Sequence, residues 1–420
     1  MKRIHVLILA ALASAASSAH AEESTSGFSF SGFGTAAAVK TNTDDARFSG
    51  GPAVQLGGVH NGIDGAIDNK LGVQGSYKFN DQLSATVQLL SRKGGDDDFK
   101  PRVEWAYIKY DPTSDLSFHA GRIRLPAYLI SDSKDVGYSQ TWVRVPQEVY
   151  AQFNLTYVTG IDLTYRTKVG GVGLTFQPLF GEQKNYNTPG NPTPNAIDTK
   201  DIAALSATAE IGNWTLRIGT LQTKISSLAN GGVNAGSLAL SNFNRLAPGL
   251  GYGDLAAKVA VVNAKTTFSG VAGVYDDGTW LFQSEYAVRR SDTLSVNNSH
   301  GWYGLGSYRI GKWTPYLIYA VLKNENPGTY TDRNGLPVIS ATVSAIMSGV
   351  YQASYTDQHT VSVGTRYDLM KNVALKGQFD RITTGGPSGN TRGLFTVTTP
   401  AFRSGPHNVN VVSLLVDFIF

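Results

Sequence analysis

Asn408-Val409-Asn410-Val411-Val412-Ser413-Leu414-Leu415-Val416-Asp417-Phe418-Ile419-Phe420 closes the chain. Counting back from the end, Phe420, Phe418, Val416, Leu414 and Val412 share one face, while Asp417 and Ser413 fall on the other. A period of two is the period of a strand. Most chains end in a polar tail that frays. This one ends on an aromatic ring that completes an apolar face. Such a face suits the terminal strand of a water-soluble β-domain, or a strand with lipid on one side.

The other end of the chain predicts a compartment. Lys2 and Arg3 precede an apolar stretch over 6–16, and Ala19-His20-Ala21 supplies a small-x-small cleavage site. Residues 1–21 therefore read as a secretory signal peptide and 22–420 as the mature chain. The apolar stretch is too short to anchor in a bilayer. With Cys 0, disulfide frameworks, thiolate metal sites and cysteine nucleophiles are all excluded.

No other apolar run approaches a transmembrane helix in length. The mean hydropathy of −0.14 is polar for a membrane protein. A membrane barrel resolves the conflict, because only alternate residues face lipid. Without Lys2 and Arg3, 34 basic residues face 32 acidic ones. That balance argues against an electrostatic nucleic-acid binder.

Amphipathic strands recur along the mature chain, over 28–39, 70–79, 83–89, 103–107, 116–122, 160–167 and 172–180. They continue over 202–211, 214–224, 265–275, 280–290, 302–310, 313–323, 360–369, 373–382 and 408–420. Very short turns such as Asn80-Asp81, Gly212-Asn213 and Gly311-Lys312 alternate with long polar loops. About sixteen strands, seven short turns and eight long loops put both termini on the short-turn side. An even strand number with this alternation is what a closed barrel in an outer membrane needs. Lipid leaves no room for unpaired backbone groups, so the sheet closes on itself. Trp214, Trp280 and Trp313 each begin a strand after a turn, and Tyr77, Phe79 and Tyr110 each precede one. Recurrence at equivalent positions reads as an interfacial aromatic girdle.

With the apolar face toward lipid, the opposite face defines the lumen. Lys70, Gln74, Lys78, Gln88, Arg92, Glu104, Asp162, Arg166, Arg217, Glu285, Arg289, Arg366, Lys376 and Asp380 point inward in this register. So many charges are too costly for a dry core, and sixteen strands enclose an aqueous channel. The expectation is a wet lumen. One loop differs from the rest. Residues 122–159 carry Arg122, Arg124, Asp132, Lys134, Asp135, Arg144 and Glu148 beside Tyr128, Trp142, Tyr150 and Phe153. A loop this long and apolar folds against something, and the barrel wall is the nearest surface. Later loops contain helix-compatible stretches over 255–262 and 343–352.

The signal peptide, the sixteen-strand plan, the long third loop and the terminal Val416-Asp417-Phe418-Ile419-Phe420 resemble the Gram-negative outer-membrane porins. The resemblance implies an all-β transmembrane antiparallel barrel with its third loop folded into the lumen, where loop acids face wall bases. Asp132, Asp135 and Glu148 are then the candidate acids. Lys78, Arg92 and Arg122 are the candidate wall bases, and Arg124, Glu104 and Arg166 are further pore-lining candidates. The Pro-Glu-Phe-Gly-Gly stretch of the enteric members is missing from this loop. Structural ion pairs holding the loop are the equal alternative reading. The resemblance also implies a homotrimer, contact with outer-membrane lipid and lipopolysaccharide, and recognition of the terminal strand by the assembly machinery.

The histidines of the mature chain are scattered and show no metal-ligand spacing, and no nucleophile or phosphate-loop motif appears. Asp96-Asp97-Asp98 reads as a solvated loop tip rather than a cation site. No cofactor and no nucleic-acid partner is expected. The expected function is passive diffusion of small hydrophilic solutes and ions. A substrate-specific channel, anion-preferring by the slight basic excess inward, is the alternative. A barrel enzyme would have to use His119, the one histidine read as strand-borne.

Overall fold

The computed structural model describes residues 27–49, 58–65, 67–93, 99–153, 155–187, 196–227, 235–246, 252–325, 341–385, 392–403 and 406–420. The signal sequence and Asp96-Asp97-Asp98 lie outside the described residues. The first eight barrel strands are β1 (Phe28–Thr41), β2 (Lys70–Lys78), β3 (Leu83–Arg92), β4 (Arg102–Tyr110), β5 (Leu116–Arg124), β6 (Tyr157–Val169), β7 (Val172–Asn187) and β8 (Ala196–Ile211). The second eight are β9 (Trp214–Ser227), β10 (Ala264–Asp276), β11 (Trp280–Ser291), β12 (Ser299–Tyr308), β13 (Trp313–Asn324), β14 (Gln358–Met370), β15 (Val373–Thr384) and β16 (His407–Ile419). Each pairs antiparallel with its sequence neighbours, and β1 pairs with β16 to close the barrel. No described helix is long and apolar enough to cross a membrane.

The quoted terminal segment is the closing strand. Phe33 lies opposite Ile419 and Thr41 opposite Val411. Backbone bonds from Gly32 to Phe420 (2.8 Å) and back (3.0 Å) carry the ladder to the last residue. Val412 and Leu414 are exposed on the outer face, whereas Val411, Ser413 and Asp417 are buried inward. The rings of Phe420 and Phe418 lie over Gly32 and Gly34, where any Cβ would collide with them.

The short turns depend on backbone that glycine supplies readily. Gly212 and Gly311 adopt φ of 57° and 58°, a region costly for most residues. Several strands extend beyond the sequence expectation at their long-loop ends, β7 to Asn187 and β8 back to Ala196. Above the membrane both faces meet polar surroundings, so alternation no longer marks the strand. A two-residue pair, Ala46–Arg47 with Thr396–Val397, joins the first and last long loops. The expected helical stretches are present as Tyr252–Val259 and Ala341–Ser354. Ala235–Leu246 is a helix that the sequence reading missed. Leu240, Leu255, Val259, Val343 and Met347 from these helices form a small apolar cap.

The interior corrects one expectation. Besides polar residues, it holds an apolar cluster that includes Leu179, Ile202, Leu221, Phe268, Tyr303 and Ile318 from the wall. Reading the inward face as uniformly wet overlooked these positions. They accept the apolar side of the third loop.

Candidate functional site

The third loop runs from Leu125 to Thr156 and lies inside the barrel. Tyr128, Trp142, Val149, Tyr150 and Phe153 are buried against the apolar wall patch. Fully burying such a side chain stabilises by about 1.5–3 kcal/mol, which is why this loop does not stay in solvent. Tyr128 stacks on Tyr150 at 4.4 Å between centroids, and Trp142 meets the edge of Tyr303 at 5.6 Å. The Tyr128 hydroxyl donates to the Phe153 carbonyl at 2.9 Å, tying the two arms of the loop together. A single helical turn, Gln147–Tyr150, sits against β12. A Cβ at Gly301 would lie 2.2 Å from the Glu148 carbonyl oxygen, so this docking requires glycine.

Wall charges hold the loop backbone. Arg217 on β9 donates to the Pro126 carbonyl (2.9 Å), and the Leu129 amide donates to Glu285 on β11 (2.6 Å). Arg366 on β14 donates to the carbonyls of Tyr138 (2.5 Å) and Gln140 (3.0 Å). Lys376 on β15 donates to the carbonyls of Gly137 (2.7 Å) and Trp142 (3.0 Å) and pairs with Asp417 at 2.8 Å. Arg289 on β11 reaches the Gln152 carbonyl at 2.6 Å. From the loop, Arg144 reaches out to Asp68 (2.6 Å) and Asp380 (2.9 Å). Many inward charges therefore face loop carbonyls and amides rather than open water.

One cluster has a different composition. Asp135 lies 2.9 Å from Arg92 on β3, 3.2 Å from Arg124 at the end of β5 and 3.6 Å from its neighbour Lys134. Arg124 also lies 3.6 Å from Glu104 on β4, and its guanidinium stands over the Trp105 ring. Lys70 on β2 is the register partner of Arg92 and acts electrostatically on Asp135. Burial alone would raise the Asp135 carboxyl. Lys134, Arg92 and Arg124 outweigh it and hold the group well below the usual carboxylate range. Burial pushes the Lys134 ammonium down to about 8 against the opposing pull of Asp135.

The structure thus brings Asp135, Arg92, Arg124 and Glu104 together and leaves the other candidates apart. Asp132 is exposed on the loop, with no ion pair among the described residues. Glu148 is buried without a cation and accepts from Gln358 (2.7 Å) and Thr360. Burial pushes its carboxyl up, against those hydrogen bonds. Lys78 pairs with Asp81 (3.0 Å) at the first short turn. Arg122 stacks on Tyr157 at 3.5 Å and donates to the Val103 carbonyl. Arg166 is exposed near the turn at the end of β6. Lys70 and Lys134 were missed as members of the cluster. The register of Lys70 with Arg92, which follows from the tight turn at Asn80-Asp81, is the signal that points to the first. His119 is held by Asp162 at 2.6 Å and lies edge-on to Tyr107. Among the described residues no three His, Cys, Asp or Glu side chains gather as a metal site.

A family model described as Gram-negative porin matches residues 9–387. Among solved structures, the chain is similar to the outer-membrane channel DcaP of Acinetobacter baumannii, with a TM-score of 0.56 at 12% identity over 95% of this chain and 99% of that one. It is similar to the in-vitro folded OmpT of Vibrio cholerae in its trimer form (0.51, 13%, 94% and 99%). It is also similar to the anion-selective porin from Comamonas acidovorans (0.52, 12%, 94% and 100%). At these identities the likeness is one of fold. A search of curated protein sequences finds no match.

Proposed function

The chain belongs to the Gram-negative porin family, and from that premise we propose that its outer-membrane diffusion channel prefers anions among small hydrophilic solutes. The observation that carries this reading is the make-up of the Asp135 cluster. Lys70, Arg92, Arg124 and Lys134 stand against Asp135 and Glu104 at the inward edge of the constricting loop. Asp135 and Glu104 are buried with Arg124, whereas Arg92 remains 34% and Lys134 20% exposed at the side chain. Among the described residues the charge that water reaches here is positive, and a narrow passage amplifies it.

In this mechanism solutes diffuse past the loop without covalent chemistry. The wall clamps keep the loop in one position, so the charge at the constriction stays fixed as solutes pass. We read the chain as a channel rather than an enzyme, exported by residues 1–21 and assembled as a homotrimer; the similar OmpT structure is of a trimer form. Planar-bilayer insertion tests the channel. Discrete conductance steps that grow in proportion to salt support it, and folded protein that inserts without conductance refutes it.

A further inference from the structure

Loop residues 144–148 do not close completely on the barrel wall. Between them and the inner faces of β13, β14 and β15 lies a cavity of about 30 Å³, measured over the positions a water centre can take. One water needs about 10–15 Å³ on that measure, so the space suits a guest of about two heavy atoms. The register fixes the wall. Ile318, Ser362 and Asp380 lie side by side on the three strands, and Ala320, Thr360 and Ile382 form the next row. A spacing of two along each strand turns both rows the same way, inward. Phe48 from the first long loop and Glu148 from the third complete the lining.

The charges around this cavity do not balance. Arg144 is shared between Asp380 (2.9 Å) and Asp68 (2.6 Å), and its guanidinium stands over the Phe48 ring. Glu148 is 2% exposed and accepts from Gln358 and Thr360, with no cation beside it among the described residues. Three carboxylates therefore meet one guanidinium. Burial pushes the Glu148 carboxyl up and Asp380 repels it further, against the two hydrogen bonds. A buried charge without a counter-charge is costly. A small cation between the two carboxylates offsets that cost.

Two features of the lining discriminate among cations. The hydroxyls of Thr360 and Ser362 lie beside the carboxylates, and together they offer acceptors to a group with several N–H donors, as an ammonium has. The buried side chains of Ile318, Ala320, Ile382 and Phe48 give nothing to a bare ion but cover an alkyl group. We propose that this cavity binds a small primary alkylammonium ion, the size of methylammonium, between Glu148 of the loop and Asp380 of the wall. Its carbon rests on the isoleucines, and the bound amine ties the third loop to β15. The proposal does not rest on the pore's selectivity.

The test is saturation-transfer NMR on the full-length mature protein folded in detergent micelles. Methylammonium is the probe, with methanol and tetramethylammonium as controls. Methanol keeps the size and loses the charge, whereas tetramethylammonium keeps the charge and loses the N–H donors. Wild type should transfer saturation to the methylammonium methyl group and much less to either control. Glu148→Gln should weaken binding at least about tenfold, the worth of one charge-assisted hydrogen bond. Ala320→Leu fills the cavity from β13 while keeping both carboxylates, and it should abolish binding. Heat-modifiable migration checks folding, and if one variant does not fold the other decides. No transfer to methylammonium in wild type, equal transfer to a control, displacement by equimolar sodium, or unchanged binding in a folded variant overturns the proposal. Binding is read without conductance, so a failed pore and a failed amine site give different results.

Discussion

The carboxylate of Asp135, carried on the inward loop, lies 2.9 Å from the guanidinium of Arg92 on the barrel wall. Lys70, opposite Arg92 in register, has no carboxylate in ion-pair reach among the described residues. The pair fixes the loop edge, and in the proposed reading the excess charge beside it gives the passage its sign.

Removing that excess should reduce anion preference without unfolding the barrel. A unit charge 4 Å from a passing ion in a water-like medium is worth about 1 kcal/mol, roughly fivefold in relative permeability. Lys70→Gln and Lys134→Gln should each lower the anion-to-cation ratio by up to about that factor. Reversal potentials of the two variants check it.

Selectivity should also fall with rising pH. Burial depresses Lys134 to about 8, so its charge is present at pH 7 and mostly gone by about pH 9. Anion preference should decline over that window in wild type and stay flat in Lys134→Gln. For stability the sign is opposite. The folded chain holds this proton less tightly than the unfolded one, so raising the pH from about 8 towards the ordinary lysine value adds stability. Asp135 behaves differently. Its depressed carboxyl stabilises the loop fully above the ordinary carboxylate range, and that contribution is lost only in acid, as pH falls through its folded value. Titrating the reversal potential and the heat-modifiability midpoint separates the two.

Glu148 offers a test of loop docking. Its carboxyl is buried with hydrogen bonds but no cation. Glu148→Gln keeps an acceptor for Gln358 and Thr360 and removes the buried charge, so it should be neutral or stabilising. Glu148→Ala leaves those donors unpaired at a cost of about 1–3 kcal/mol. Limited proteolysis within the loop should be unchanged in the first variant and faster in the second.

The Lys376–Asp417 pair is almost wholly buried, at 0% and 1% side-chain exposure. Lys376→Met should destabilise by about 3–5 kcal/mol by stranding Asp417, and it should also release the carbonyls of Gly137 and Trp142. A fall in the unfolding temperature together with a noisier open-channel current is the expected pair of readouts.

At the seam, deleting Phe420 removes its two backbone bonds with Gly32 and the ring above that glycine. Assembly into the membrane should suffer more than the conductance of each pore that does assemble. Counting heat-modifiable protein in membranes against single-channel conductance checks this.

The barrel was legible because lipid imposes period two on every strand, from Phe28 to Phe420, and short turns such as Gly212-Asn213 punctuate it. The ends of β7 and β8 were not, since the cause of alternation stops at the membrane surface. The inward loop was legible from Trp142, Tyr150 and Phe153, which needed somewhere to be buried. Its individual partners were not. Lys78 and Arg122 have the right charge for the constriction, but Asp81 and Tyr157 hold them elsewhere. Long-range register, not residue type, selected Arg92, and an inward arginine reads the same whether it faces a solute or, like Arg366, a loop carbonyl.

The most direct measurement is the zero-current potential of single channels in a KCl gradient at pH 7. Fixed positive charge at the Asp135 cluster predicts a reversal potential on the chloride side, moving towards zero in Lys70→Gln and Lys134→Gln. A potassium-side reversal in wild type, or one indifferent to both substitutions, would contradict the account.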